Sequence, residues 1–122
     1  MCIRVLIAED DANLRQGLID LLEGEGYEVY PAEDGQKALD CFRQQTPDLV
    51  LLDIMLPEID GFEVCQRIKN DPATRDIPVI MLTAKKSRED MARGEKVGAD
   101  WYITKPFKSA MVMDIIESLI NK

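Results

Sequence analysis

At 122 residues, 46% of them hydrophobic and 31% charged, the chain has room for one compact domain with its own core, and no tract is biased toward disorder. A formal net charge of −8 argues against broad binding to nucleic acid or to an anionic membrane surface. Cys2, Cys41 and Cys65 are widely spaced and form no C-x-x-C pair, so neither a disulfide framework nor a zinc site is indicated. No apolar run is long enough to span a bilayer, and Arg4, Glu9 and Asp10 interrupt the only apolar start before it could serve as a signal peptide. A cytoplasmic, single-domain protein is the expectation.

Short β-branched or leucine-rich runs alternate with segments of helical period. "IRVLIA" reads as a strand. In the following "DANLRQGLIDLLEGEG", Leu14, Leu18, Leu21 and Leu22 share one helical face, with Asp11 as cap and Gly24 or Gly26 as stop. "YEVYPA" is a weaker strand, which Pro31 assigns to a sheet edge. Gly35 to Gln45 predicts a helix capped by Asp34, with Ala38, Leu39 and Phe42 inward; "TPD" ends it before "LVLLD". A loop with Pro57 and Gly61 leads to a helix from Phe62 to Asn70, whose buried stripe is Phe62, Cys65 and Ile68. "NDPATRDIP" is a turn-rich connection to the strand "VIML". Ser87 and Asp90 fit a capping box for a helix ending near Gly98, and "WYIT" is the fifth strand. Val112, Ile115, Ile116, Leu119 and Ile120 give the last helix the strongest apolar stripe. The methionines at 55, 81, 91, 111 and 113 read as core and loop filler.

Five strands each followed by a helix predict an α/β fold: a parallel sheet covered on both faces, with right-handed crossovers. Ligands in such folds bind outside the carboxyl ends of the strands. That rule selects Glu9 and Asp10 after strand one, Asp53 at the end of strand three, Thr83 after strand four, and Lys105 with Pro106 after strand five. Three carboxylates on one rim repel one another unless a cation joins them. Oxygen ligands without histidine or thiolate favour Mg²⁺ or Mn²⁺. An aspartate carboxylate is also a nucleophile toward phosphorus when positive charge, here Mg²⁺ and Lys105, offsets the charge on the phosphoryl oxygens. Thr83 offers a hydroxyl donor. Plainer readings stand beside these: Asp10 and Asp11 as helix caps, Lys105 as a solvated loop lysine, Thr83 as a β-branched strand residue, and Trp101 and Tyr102 as packing.

The segments "VLIAEDD", "PDLVLLDIMLPEIDGFEV", "IPVIMLTA" and "GADWYITKPF" together make the chain resemble the receiver domains of response regulators, the CheY-like superfamily of two-component signalling, over essentially its whole length, 1–122. The resemblance implies a doubly wound, flavodoxin-like (βα)5 fold of strand order 2-1-3-4-5. It implies that Asp53 is the phosphoacceptor, and that Asp10, Asp53 and the backbone carbonyl of Met55 bind Mg²⁺, with Mn²⁺ able to substitute and Glu9 acting through water. Lys105 would contact the phosphoryl group, with a cis peptide before Pro106, and Thr83 and Tyr102 would form a switch pair. Met55 and Lys85 occupy positions that in the family influence how water reaches the phosphoryl group.

The chain contains no histidine, so the resemblance implies a separate histidine kinase or histidine phosphotransfer protein as donor. Output is expected through the fourth helix, fifth strand and fifth helix, to a downstream protein effector or a C-terminal output domain missing from this sequence, with no direct contact to nucleic acid or membrane. Dimerisation on phosphorylation is left open by the sequence. From Lys85 to Lys108 seven basic residues face four acidic ones, a net +3 that predicts an acidic partner. The chain is expected to catalyse only its own phosphotransfer and slow dephosphorylation. A nucleotide or flavin binder would need a Gly- or Ser/Thr-rich loop where "AEDDANLR" stands. A phosphatase with an aspartate nucleophile would want a second acid at Met55. A receiver-like interaction module that works without phosphorylation is the alternative.

Overall fold

The computed structural model describes residues 3–84 and 88–120. Ten elements alternate along the chain: β1 (Arg4–Ala8), α1 (Ala12–Gly24), β2 (Glu28–Ala32), α2 (Gly35–Gln45), β3 (Leu49–Asp53), α3 (Gly61–Asn70), β4 (Val79–Thr83), α4 (Arg88–Val97), β5 (Trp101–Thr104) and α5 (Ser109–Ile120). The five strands form one parallel sheet in the order β2-β1-β3-β4-β5. Both the element order and the strand order agree with expectation, and Pro31 lies in the edge strand β2, where a residue without an N–H breaks no inner ladder.

Strand periodicity divides the core in two. Leu6, Val50, Leu52, Val79 and Met81 point to one face and pack against Leu39 and Phe42 of α2 and Phe62, Cys65 and Ile68 of α3. Val5, Ile7, Leu49, Leu51, Ile80, Leu82 and Ile103 point to the other and pack against Leu18 and Leu22 of α1 and Val112, Met113 and Ile116 of α5. Burial on both faces explains why the inner strands read as unbroken apolar runs and not as alternating ones. Among the described residues no helix is long and apolar enough to cross a membrane.

Helix starts follow local chemistry. Asp11 accepts hydrogen bonds from the N–H groups of Asn13 (2.9 Å) and Leu14 (3.1 Å), and Asp34 from that of Lys37 (2.8 Å), as expected of both caps. α3 begins one residue earlier than expected, at Gly61, because Asp60 is its cap and accepts from the Glu63 N–H at 3.0 Å. The expected capping box rests on Ser87, which lies outside the described residues, as does Cys2.

Of the methionines expected to fill core and loops, Met111 departs by standing exposed on α5. Met81 and Met113 are buried, but Met55 and Met111 are exposed. Trp101, read from the sequence as a packing residue, is instead half exposed at the start of β5, while Tyr102 packs against the α2/α3 side of the core. Alternation along the strand sends the two rings to opposite faces, and the sheet ends at β5, so one of them lacks cover.

Candidate functional site

The carboxyl ends of β1, β3, β4 and the segment after β5 meet on one rim. Glu9 directly follows β1; its N–H donates to the Ala32 carbonyl of β2 (3.0 Å), and its side chain is wholly out of solvent. Asp53 closes β3 and is 4% exposed, Thr83 closes β4 and is buried, and Asp10 beside Glu9 remains exposed. One carboxylate oxygen from each of Glu9, Asp10 and Asp53 lies within 4.8 Å of the others. The strand ends therefore gather the three acids that sequence spacing singled out.

Lys105 closes the group. Its peptide bond to Pro106 is cis, and its N–H donates to the Thr83 carbonyl at 2.7 Å. The ammonium donates to Glu9 Oε1 at 2.7 Å and to Asp53 Oδ2 at 3.2 Å, with the lysine side chain only 22% exposed. The other oxygen of Asp53, Oδ1, accepts from the Met55 N–H at 3.1 Å. Both carboxylate oxygens are thus oriented, one by backbone and one by a cation, which holds the carboxylate in a single pose.

Charge balance in this low-exposure group is set by burial. Burial pushes the Glu9 carboxyl up to about 7; the hydrogen bond it shares with Asp53 acts in the same direction, while Lys105 opposes both. For Lys105, burial disfavours the ammonium, but the hydrogen bond to Glu9 and the charges of Asp53 and Glu9 outweigh it and raise its pKa. Lys105 pairs with Glu9 and Asp53 but not with Asp10, so the group keeps net negative charge, and its side-chain ligand atoms are hard carboxylate oxygens. Such a set fits Mg²⁺ or Mn²⁺ and offers nothing to a thiophilic metal.

Of the remaining expected site residues, Tyr102 is half-buried on the α2/α3 side of the sheet, two residues before Thr104, the register partner of Thr83. Met55, whose N–H holds Asp53, is 77% exposed two residues beyond the end of β3. Lys85 lies outside the described residues.

Three residues have roles here that the sequence did not assign to them. Arg15 of α1 donates from Nη1 to the Glu9 carbonyl at 2.7 Å, and its only sequence signal is a cation in a first helical turn beside a run of acids. Gly61 lets α3 start directly against β3: a Cβ there would stand 2.2 Å from the Asp53 carbonyl oxygen, and the Gly61 N–H donates to the Ile54 carbonyl at 2.9 Å. Arg93 of α4 lies over the Phe62 ring, 4.4 Å from its centroid, and reaches the Asp60 carboxylate at 3.7 Å, so part of the positive charge expected to face a partner is engaged within the domain.

Comparison with known proteins agrees with this geometry. The family model for the response regulator receiver domain matches residues 5–117. The chain is 43% identical over 119 residues to the DNA-binding dual master transcriptional regulator RpaA of Synechocystis, covering 98% of this chain and 49% of that protein. It is 40% identical over 122 residues to the phosphate regulon transcriptional regulatory protein PhoB of Escherichia coli, covering 100% of this chain and 53% of that protein. The chain spans about half the length of these curated relatives. The crystal structure of the signal receiver domain of a signal transduction histidine kinase from Syntrophus aciditrophicus superposes with a TM-score of 0.92 at 33% identity, covering 98% of this chain and 91% of that one. Motif order, sheet topology and the acidic rim closed by a lysine agree with these matches, and the chain belongs to the response regulator receiver domain family.

Proposed function

We propose that the whole chain acts as one receiver domain that takes a phosphoryl group from a phosphohistidine donor onto Asp53. The observation that carries this reading is the Lys105 ammonium held between Glu9 and Asp53, at the rim where the carboxylates converge. A carboxylate oxygen of Asp53 attacks phosphorus, the O–P bond of an acyl phosphate forms, and the P–N bond of the phosphoimidazole breaks. The imidazole nitrogen keeps the electron pair and takes a proton from water. The donor lies outside these 122 residues, which contain no histidine, and is a histidine kinase or a histidine phosphotransfer protein.

Asp10, Asp53 and the Met55 carbonyl would hold Mg²⁺, with Glu9 acting through water. When bound, Mg²⁺ supplies positive charge against the carboxylates and the phosphoryl oxygens. Lys105 keeps the Asp53 carboxylate aimed, and its cationic head offsets charge on a phosphoryl oxygen. Thr83 donates its hydroxyl to the phosphoryl group, and Tyr102 follows into the space it leaves, which alters the face formed by α4, β5 and α5. The catalysis is confined to the domain's own phosphotransfer and slow dephosphorylation.

Among the described residues of α4, β5 and α5, Trp101 and Met111 are the large exposed apolar groups, while Arg93 and, just beyond β5, Lys105 are engaged within the domain. This favours a protein effector or an output domain docked on an apolar anchor over one selected by charge alone, and the net −8 disfavours direct nucleic-acid binding by this domain. Intact mass after incubation with acetyl phosphate tests the acceptor: one phosphoryl group gained with Mg²⁺, and none in Asp53→Asn, is the expected result. No gain in the wild type, under conditions that label a control receiver, would return the chain to the phosphorylation-independent alternative. Met55 and Lys85 are proposed to impede the hydrolytic water, so Met55→Asn should shorten the phosphoryl lifetime; an unchanged lifetime refutes that role.

A further inference from the structure

Arg15 sits one turn beyond the Asp11 cap of α1, and its guanidinium turns back onto the acidic loop. Nη1 is 2.7 Å from the Glu9 carbonyl oxygen and 3.5 Å from that of Asp10. Among the described residues Arg15 forms no ion pair with any carboxylate. The loop is also tied by the Glu9 N–H to the Ala32 carbonyl (3.0 Å) and by the Asp11 N–H to Glu9 Oε2 (3.2 Å). Asp10 differs from its neighbours. Its side chain is exposed, and among the described residues no hydrogen bond is directed at its carboxylate, so only the main chain sets where it points.

The geometry points to Arg15 as a positioning residue for cation capture, an inference that rests on reading Glu9, Asp10 and Asp53 as the Mg²⁺ site. A positive group paired with the carboxylates themselves, as Lys105 is, competes with a metal for their oxygens. Arg15 directs its donors at the two main-chain carbonyls instead, so it fixes the loop and leaves the ligand oxygens open. Its charge alone would repel a cation. Position and charge therefore predict opposite signs for its removal: lost positioning weakens binding, by about tenfold to a hundredfold for groups that orient metal ligands, while lost repulsion tightens it.

Mn²⁺ binding to the unphosphorylated protein, followed by electron paramagnetic resonance, separates them. Arg15→Met, which keeps the aliphatic stem and removes the donors, is expected to bind at least about tenfold more weakly. Arg15→Lys keeps the charge but has a point donor in place of the planar fork, and is expected to fall between Arg15→Met and the wild type. In the acetyl phosphate reaction the half-saturating Mg²⁺ concentration should rise in Arg15→Met, while the rate at saturating Mg²⁺ stays within about twofold, a split that general loss of structure would not produce. Unchanged or tighter Mn²⁺ binding in a folded Arg15→Met overturns the role. Should circular dichroism find Arg15→Met unfolded, wild-type affinity in Arg15→Lys overturns it instead. A wild type that binds no Mn²⁺ refutes the metal site itself, and this role with it; binding abolished by Asp10→Ala supports the site independently of Arg15.

Discussion

Glu9→Gln should flatten the pH dependence of stability. Glu9 is wholly buried, and its carboxyl is pushed up to about 7 from an ordinary 4.5, chiefly by burial. Between those two values the folded chain keeps a proton that the unfolded chain has lost, so stability falls as pH rises through the window. Each tenfold preference for the protonated form is worth about 1.4 kcal/mol, which puts the full effect at about 3 kcal/mol and most of it between about pH 5 and pH 8. Urea unfolding in Mg²⁺-free buffer with chelator measures this for both proteins. The wild type is expected to lose roughly 2 to 3 kcal/mol more than Glu9→Gln across that range, because the amide accepts from Lys105 but does not ionise. Saturating Mg²⁺ should reduce the wild-type loss by favouring the charged carboxylate. Parallel pH profiles for the two proteins would refute burial as the controlling cause.

Other perturbations test the supports of the rim. Gly61→Ala forces a Cβ to 2.2 Å from the Asp53 carbonyl oxygen and should destabilise the fold by about 3 kcal/mol while weakening Mg²⁺ binding; a wild-type urea midpoint would contradict the close approach. Lys69 donates to the carbonyls of Arg75 (3.0 Å) and Ile77 (2.8 Å) and to Asp100 (2.7 Å), and Asp100 also accepts from the Val79 N–H (2.8 Å). Lys69→Met should cost about 2 kcal/mol in urea unfolding through the acceptors it strands, and less than about 0.5 kcal/mol would mean that water replaces it. Trp101 is the single tryptophan and half exposed, so acrylamide should quench its fluorescence readily. Phosphorylation should change that quenching if the α4–β5–α5 face responds, and an unchanged quenching constant would count against the face.

Much of the molecule is legible in the sequence, because its signals are local. The unbroken apolar run from Leu49 to Leu52 declares a strand covered on both faces, Asp11 and Asp34 announce helix starts through their own side-chain acceptors, and Pro31 marks an edge by the N–H it lacks. The rule that ligands gather at strand carboxyl ends then selects Glu9, Asp10, Asp53, Thr83 and Lys105 without coordinates.

Tertiary structure decided what depends on partners far apart in the chain. That Glu9 is buried while its neighbour Asp10 is exposed depends on Asp53 and Lys105, which come from distant strands to face the Glu9 carboxylate. The need for glycine at 61 arises only because α3 begins against the Asp53 carbonyl, and Trp101 is exposed because its strand ends the sheet. The contact of Arg15 has little signature in the sequence beyond a cation near a run of acids, since its acceptors are main-chain carbonyls that every residue possesses. Sequence encodes periodicity and side-chain chemistry directly, whereas burial, electrostatic coupling and contact with backbone exist only once distant segments have been packed together.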